Sequence, residues 1–150
     1  MRIADLLRNK GSMVATISPA DTVTELLARL AQHNVGALVV VDASDEVAGI
    51  VSERDVVRRL HEHGAGLLGS PVSDIMTTVV ATCTPQDSVD QLSAVMTQRR
   101  IRHVPVLVDG RLSGIVSIGD VVKSRMDELQ QNQRQLEAYI SGGPIHPASG

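Results

Sequence analysis

The chain is 150 residues long, and its 14 Lys and Arg against 17 Asp and Glu leave a formal net charge of −3. That balance lacks the basic excess a phosphate backbone demands. With no Phe, no Trp and only Tyr139, there is no set of rings for unpaired bases to stack on, so composition argues against extended nucleic acid as a partner. The length fits one compact domain burying roughly 70% of its unfolded surface, around a core that must be built from Val, Ile, Leu, Met and Ala.

The polar run Arg8-Asn-Lys-Gly-Ser12 follows too soon for an apolar signal segment to precede it, and the single cysteine, Cys83, can form no internal disulfide. No stretch approaches the roughly 20 apolar residues of a membrane span. These features predict a reduced, cytoplasmic setting and no membrane partner.

Val14-Ala-Thr-Ile17 reads as a short apolar strand broken by Ser18-Pro19. Thr22 with Glu25 forms a capping box ahead of Val23, Leu26, Leu27 and Leu30, whose spacing predicts an amphipathic helix ending at Asn34 to Gly36. Ala37-Leu-Val-Val-Val41 is apolar on both faces and reads as a buried strand, with Val47-Ala-Gly-Ile-Val51 as its hairpin partner. Ser52 caps a second helix, Glu53 to His63, stopped by Gly64, and Gly66-Leu-Leu-Gly-Ser-Pro71 reads as a linker.

The same plan then returns. Val80-Ala-Thr-Cys-Thr-Pro-Gln-Asp-Ser-Val89 echoes Val14-Ala-Thr-Ile-Ser-Pro-Ala-Asp-Thr-Val23 at an offset of 66, and Gly114-Ile-Val-Ser-Ile-Gly-Asp-Val-Val122 echoes Gly49-Ile-Val-Ser-Glu-Arg-Asp-Val-Val57 at an offset of 65. Ser88 with Gln91 forms the capping box of the repeated helix, and Asp109-Gly110 supplies a tight hairpin turn. Pro105 cannot donate to a ladder, so its strand is expected at an edge or irregular there. Two long repeats suit a closed pseudo-symmetric pair rather than a solenoid of many short ones.

The last helix overruns its counterpart. Val122, Met126, Leu129, Gln133, Leu136 and Ile140 alternate spacings of four and three, a seam that suits either a helix lying on its own domain or a self-association surface. From Ser141 the Gly- and Pro-rich tail is expected to be disordered. The predicted units are residues 1–66 and 67–127, followed by a helix extension and tail over 128–150.

Ser52-Glu-Arg-Asp55 and Ser117-Ile-Gly-Asp120 each stand where a strand runs into a helix. The plain reading is a capping box. The same geometry turns free amides and the positive helix end toward an anion beside the Ser hydroxyl, while an Asp can accept from both hydroxyls of a ribose. Duplication of the whole Gly-Ile-Val-Ser approach favours this second reading, since a cap alone would tolerate Thr, Asn or Asp.

With these motifs the chain resembles a tandem pair of cystathionine-beta-synthase (CBS) domains, a Bateman module, over approximately residues 1 to 126. The resemblance implies an α+β fold of two β-α-β-β-α repeats packed as a pseudo-twofold pair. It also implies a regulatory role without catalysis, and adenosine-containing ligands such as AMP, ADP, ATP or S-adenosylmethionine in two clefts between the repeats; NADH belongs on the same panel. Carried over residue by residue, Ser52 and Ser117 become phosphate or ribose contacts and Asp55 and Asp120 ribose diol acceptors. The base would lie between Thr16-Ile17 and Gly36-Ala37-Leu38 in one cleft, and between Thr82-Cys83 and His103-Val104-Pro105 in the other. A homodimer of stacked modules and an unidentified protein effector follow from the same likeness.

Arg102 and His103 enter the second of these clefts and predict tighter polyphosphate binding there, with Arg54 beside the helix start of the first. Arg99 and Arg100 read as complements to a helix C-terminus, and Arg58 and Arg59 as a solvated face. His61 and His63 do not share a helix face as metal ligands would, and Cys83 stands in an apolar strand as an inert thiol, so neither a metal site nor a nucleophile is expected. No cofactor is required on this reading. The rival reading is a ligand-free dimerisation or scaffold protein whose Ser-x-x-Asp elements are only caps.

Overall fold

The computed structural model describes residues 1–10, 14–78 and 81–142. Its elements run α1 (Ile3–Lys10), β1 (Thr16–Ile17), α2 (Val23–His33), β2 (Ala37–Val41), β3 (Val47–Ser52), α3 (Glu53–His63), two 3₁₀ turns (Gly64–Gly69 and Val72–Asp74), α4 (Val89–Arg99), β4 (His103–Val108), β5 (Arg111–Ser117) and α5 (Ile118–Gly142). The mixture is the α+β plan of two like repeats.

Local chemistry sets the boundaries. At α2 the Thr22 hydroxyl accepts from the Glu25 amide at 3.2 Å while the Glu25 carboxylate accepts from the Thr22 amide, the reciprocal cap expected of this pair. At α4 the expected capping box is formed by half: the Ser88 hydroxyl accepts from the Gln91 amide at 3.0 Å. Both helices end in a left-handed residue, Asn34 (φ 53°) and Arg100 (φ 54°). Asn suits that conformation; Arg tolerates it at a cost. Asp109 and Gly110 both have positive φ, as a two-residue hairpin of the twist-matching kind requires.

β1 runs parallel to β2 and β2 antiparallel to β3, giving a three-stranded sheet ordered β1-β2-β3; β4 and β5 form a second antiparallel pair. The two hairpins slip register at matching places, between Val40 and Val41 and between Val106 and Leu107, just past the repeated Gly49 and Gly114. The parallel strand of the second repeat is reduced among the described residues to one bridge, Cys83 with Val106. A Thr82–Pro105 pairing like Thr16–Val39 would need the amide hydrogen that Pro105 lacks. Val80, expected to open that strand, lies outside the described residues.

Each repeat has its own apolar core. The first gathers Ile17, Val23, Leu26, Leu30, Leu38, Val40, Val51 and Val56 with Leu67, Val72 and Ile75; the second gathers Cys83, Val89, Leu92, Met96, Val104, Val106, Val116 and Val121 with Ile3 and Leu6. The stretch read as a linker is therefore a packed 3₁₀ turn, with Leu67 almost wholly buried. No sequence signal marks Ile3–Lys10 as a helix, yet α1 forms there and closes the core of the far repeat.

The reason is a further echo. Ile3-Ala-Asp-Leu-Leu7 matches Val72-Ser-Asp-Ile-Met76 at an offset of 69. The two segments dock alike: Val72 N–H donates to the Asp21 carbonyl and Ser73 N–H to that of Pro19, while Ile3 and Ala4 donate to Asp87 and Pro85. Each repeat is sealed by the segment that leads into the other, so neither core is complete within its own repeat. α5 continues through Gly142, past the expected start of the tail, and residues 143–150 lie outside the described residues. No described helix is long and apolar enough to cross a membrane.

Candidate functional site

β3 delivers Ser52 to the start of α3, where its hydroxyl accepts from the Asp55 amide at 3.4 Å, and Asp55 Oδ2 accepts from the Ser52 amide at 2.8 Å and from its hydroxyl at 3.1 Å. Asp55 Oδ1 accepts from the Thr77 hydroxyl at 3.3 Å. The cap is thus real, yet a carboxylate offers about four lone-pair positions, so Oδ1 keeps capacity for a further donor. The second repeat builds the same element: Ser117 N–H donates to Asp120 Oδ2 at 2.8 Å and Asp120 N–H to Ser117 Oγ at 3.1 Å.

A cleft of about 430 Å³ opens beside the first of these caps. The first repeat supplies Gly36, Ile50, Ser52, Glu53, Arg54, Asp55 and Arg58, with Thr77 on its sheet edge; Thr78, Ala81, Arg100, Ile101, Arg102 and His103 come from the chain beyond. It therefore lies between the repeats. Gly36 and Arg102 are counterparts, since Glu53 N–H donates to the Gly36 carbonyl at 3.0 Å just as Ile118 N–H donates to that of Arg102 at 2.8 Å. Four guanidinium groups face two carboxylates there. Among the described residues none of Arg54, Arg58, Arg100 and Arg102 is held in an ion pair, so their charge stays available to an anion.

Of the residues expected at a ligand site, the structure brings together Gly36, Ser52, Arg54, Asp55, Arg102 and His103. Arg102 and His103, expected in the second cleft, line this one with Ser52 and Asp55 of the first repeat, while their backbone adjoins the Ser117 cap. Ile17, Leu38, Cys83, Val104, Ala37 and Pro105 do not line this cleft, because their apolar side chains are buried in the repeats. Thr16 lends its carbonyl to Arg29 at 2.6 Å, and Thr82, Ser117 and Asp120 are not among the residues lining this cleft.

Arg58 and Arg100, read as surface and helix-end charges, belong to the cleft, whereas Arg59 pairs with Glu62 at 3.6 Å. Thr77 and Thr78 carried no local signal. Thr77 is placed by paired backbone bonds with Ile50, at 2.9 and 2.8 Å, which add it to the edge of the first sheet. The Cys83 thiol is pushed up to about 12, first by burial and then by the Asp87 carboxylate, which leaves it protonated and inert. Among the described residues no three His, Cys, Asp or Glu side chains gather as a metal site would need.

Two repeats sealed by exchanged segments, with a cleft between them, define a tandem module of duplicated α+β repeats. The pattern of the CBS domain matches the chain twice, over residues 5–62 and 72–127, and the protein belongs to that family. It is 39% identical over 149 residues to the mitochondrial CBS domain-containing protein CBSX3 of Arabidopsis thaliana, covering 94% of this chain and 72% of that protein. The CBS-domain protein ATU1752 of Agrobacterium tumefaciens superimposes with a TM-score of 0.79 at 46% identity, over 83% of this chain and 99% of that one. Two more distant structures carry ligands. The Pyrobaculum aerophilum protein PAE2072 is complexed with AMP (26% identity, TM-score 0.75, covering 89% and 99%), and the CBS pair of MJ0100 with methylthioadenosine and S-adenosylmethionine (25%, 0.76, covering 85% and 98%).

Proposed function

We propose that this protein is a non-catalytic sensor that binds an adenosine phosphate in the cleft between its repeats and transmits occupancy to a protein effector. The observation that carries this reading is the meeting of Ser52 and Asp55 from one repeat with Arg100 and Arg102 from the other. Asp55 would accept from the ribose diol, Ser52 and the start of α3 would face the first phosphate, and the arginines would take the phosphates beyond it. A ligand held this way spans both repeats. It biases their packing only as far as it binds one arrangement better than another, which is the physical content of sensing.

The charge of the cleft ranks the candidates. ATP and ADP should bind more tightly than AMP, and S-adenosylmethionine, with its sulfonium, least of all, although the related MJ0100 pair binds it. A scaffold with empty clefts would need the Ser-x-x-Asp caps but gives no role to four arginines without ion-pair partners. No residue in the cleft forms a nucleophile with a base, so the reading assigns no catalysis. A homodimer and a cytoplasmic setting complete it; the mitochondrial relative makes the compartment a matter for localisation by microscopy.

A thermal-shift panel of AMP, ADP, ATP, NADH and S-adenosylmethionine tests the proposal. Ligand at 100 times its dissociation constant adds about 2.7 kcal/mol to the folded state. A rise in melting temperature ordered ATP, ADP, AMP supports the sensor; no rise with any of the five supports the scaffold.

A further inference from the structure

Residues 118–128 of α5 lie on the second repeat, where Val121 and Ser124 are buried, the Ser124 hydroxyl meets the Met1 sulfur at 2.7 Å and Arg125 pairs with Asp90 at 2.6 Å. From Leu129 to Ile140 every residue is exposed. A lone helical stretch of this length is marginal in water, because its stability must come from packing an apolar face. The apolar face exists and is unpacked: Leu129, Leu136 and Ile140 are 67%, 60% and 73% exposed, and the stripe runs back through Met126 and Val122.

We propose that α5 clasps α5 of a second copy of this chain in an antiparallel coiled coil centred near Gln131. The proposal rests on the self-association reading above and fixes its geometry, independently of any nucleotide. The spacing of four and three makes Val122, Leu129 and Leu136 one set of seam positions and Met126, Gln133 and Ile140 the other. Antiparallel alignment about that centre sets Val122 against Ile140, Met126 against Leu136 and Leu129 against Gln133 of the second copy, so the free end of each helix covers the exposed stripe on the other's docked half.

Charge selects this orientation. Flanking the seam, Lys123 of one copy lies beside Glu137 of the other, twice by symmetry. A parallel pair would instead set Arg125 beside Gln130 and Asn132 beside Glu137, with no opposite charges meeting. Gln133 donates to Glu137 one turn on at 3.4 Å, which keeps its amide at the rim rather than unpaired in the seam.

The test is disulfide trapping under mild oxidation, alongside sedimentation of the unsubstituted chain. Cys83 is buried, so the unsubstituted protein serves as the blank. A chain carrying both Met126→Cys and Leu136→Cys should form a covalent dimer, while either substitution alone should not. Lys123→Glu should weaken dimerisation about fivefold, and adding Glu137→Lys should restore it. Trapping by each single substitution would mean a parallel pair and overturn the clasp while leaving self-association standing. A dimer that no variant traps would place the interface elsewhere and likewise overturn it. A monomer at all concentrations would sink both readings.

Discussion

Replacing Gly49 with alanine should unseat the segment that completes the first repeat, whereas the same change at its counterpart Gly114 should be nearly harmless. A Cβ at Gly49 would stand 2.6 Å from the Thr77 carbonyl oxygen and 3.2 Å from the Met76 sulfur. The comfortable approach of carbon to oxygen is about 3.3 Å, so the Thr77 backbone must retreat by about 0.7 Å. That motion strains both backbone bonds between Ile50 and Thr77, each worth about 0.5–1.5 kcal/mol net, on top of overpacking. The expected destabilisation is about 2–4 kcal/mol.

At Gly114 the new Cβ meets the Leu7 side chain, 3.0 Å away at its flexible end, and Val106 Cβ at an ordinary 3.8 Å. A rotamer adjustment of about 1 kcal/mol is largely offset by the gain from removing a strand glycine. Urea unfolding followed by circular dichroism reads the difference. The midpoint should fall by about 1–2 M for Gly49→Ala, and by little for Gly114→Ala, with slopes unchanged. Equal losses, or a larger loss at Gly114, would refute the account of how Thr77 is placed in the cleft.

Leu67→Ala should cost about 2–5 kcal/mol, since the side chain is 1% exposed within the first core; a loss under 1 kcal/mol, read by the same unfolding curves, would restore the stretch to the status of a linker. Native Cys83 should resist alkylation at pH 8 and react at once in denaturant. Because its folded value lies near 12, against 9.0 for an unburied thiol, the unfolded chain loses this proton first as pH rises. The thiol therefore subtracts nothing below pH 9 and lowers stability progressively between 9 and 12. A Cys83→Ala variant that keeps the same stability loss over that window would contradict the assignment.

The duplication was legible because several levels agreed: the Thr22–Glu25 box, the hairpin turn at Asp109-Gly110 and the paired Gly-Ile-Val-Ser approaches all take their predicted geometry. The exchanged seals were less so. Ile3-Ala-Asp-Leu-Leu7 and Val72-Ser-Asp-Ile-Met76 share one identical residue, Asp5 with Asp74, so their kinship shows only in apolar spacing, and nothing local says that each docks on the other's repeat. That same exchange brings Thr77, Thr78 and Ala81 to the cleft. The pairing of Arg102 with the first cap depends on how the repeats face each other, which no single repeat encodes. Arg58 and Arg100 looked like solvated charges because periodicity reports which face is apolar, not what stands across from the polar one.

On the proposed reading the cleft holds an adenosine phosphate through Asp55 and Arg102. Calorimetric titration of ATP and AMP into the unsubstituted protein and into Arg102→Ala tests it most directly. One charge-assisted contact to phosphate is worth about 1.5–3 kcal/mol. The account therefore predicts that ATP affinity falls at least about tenfold in the variant, with a smaller fall for AMP. Unchanged ATP affinity in Arg102→Ala, or no heat of binding in the unsubstituted protein, would contradict it.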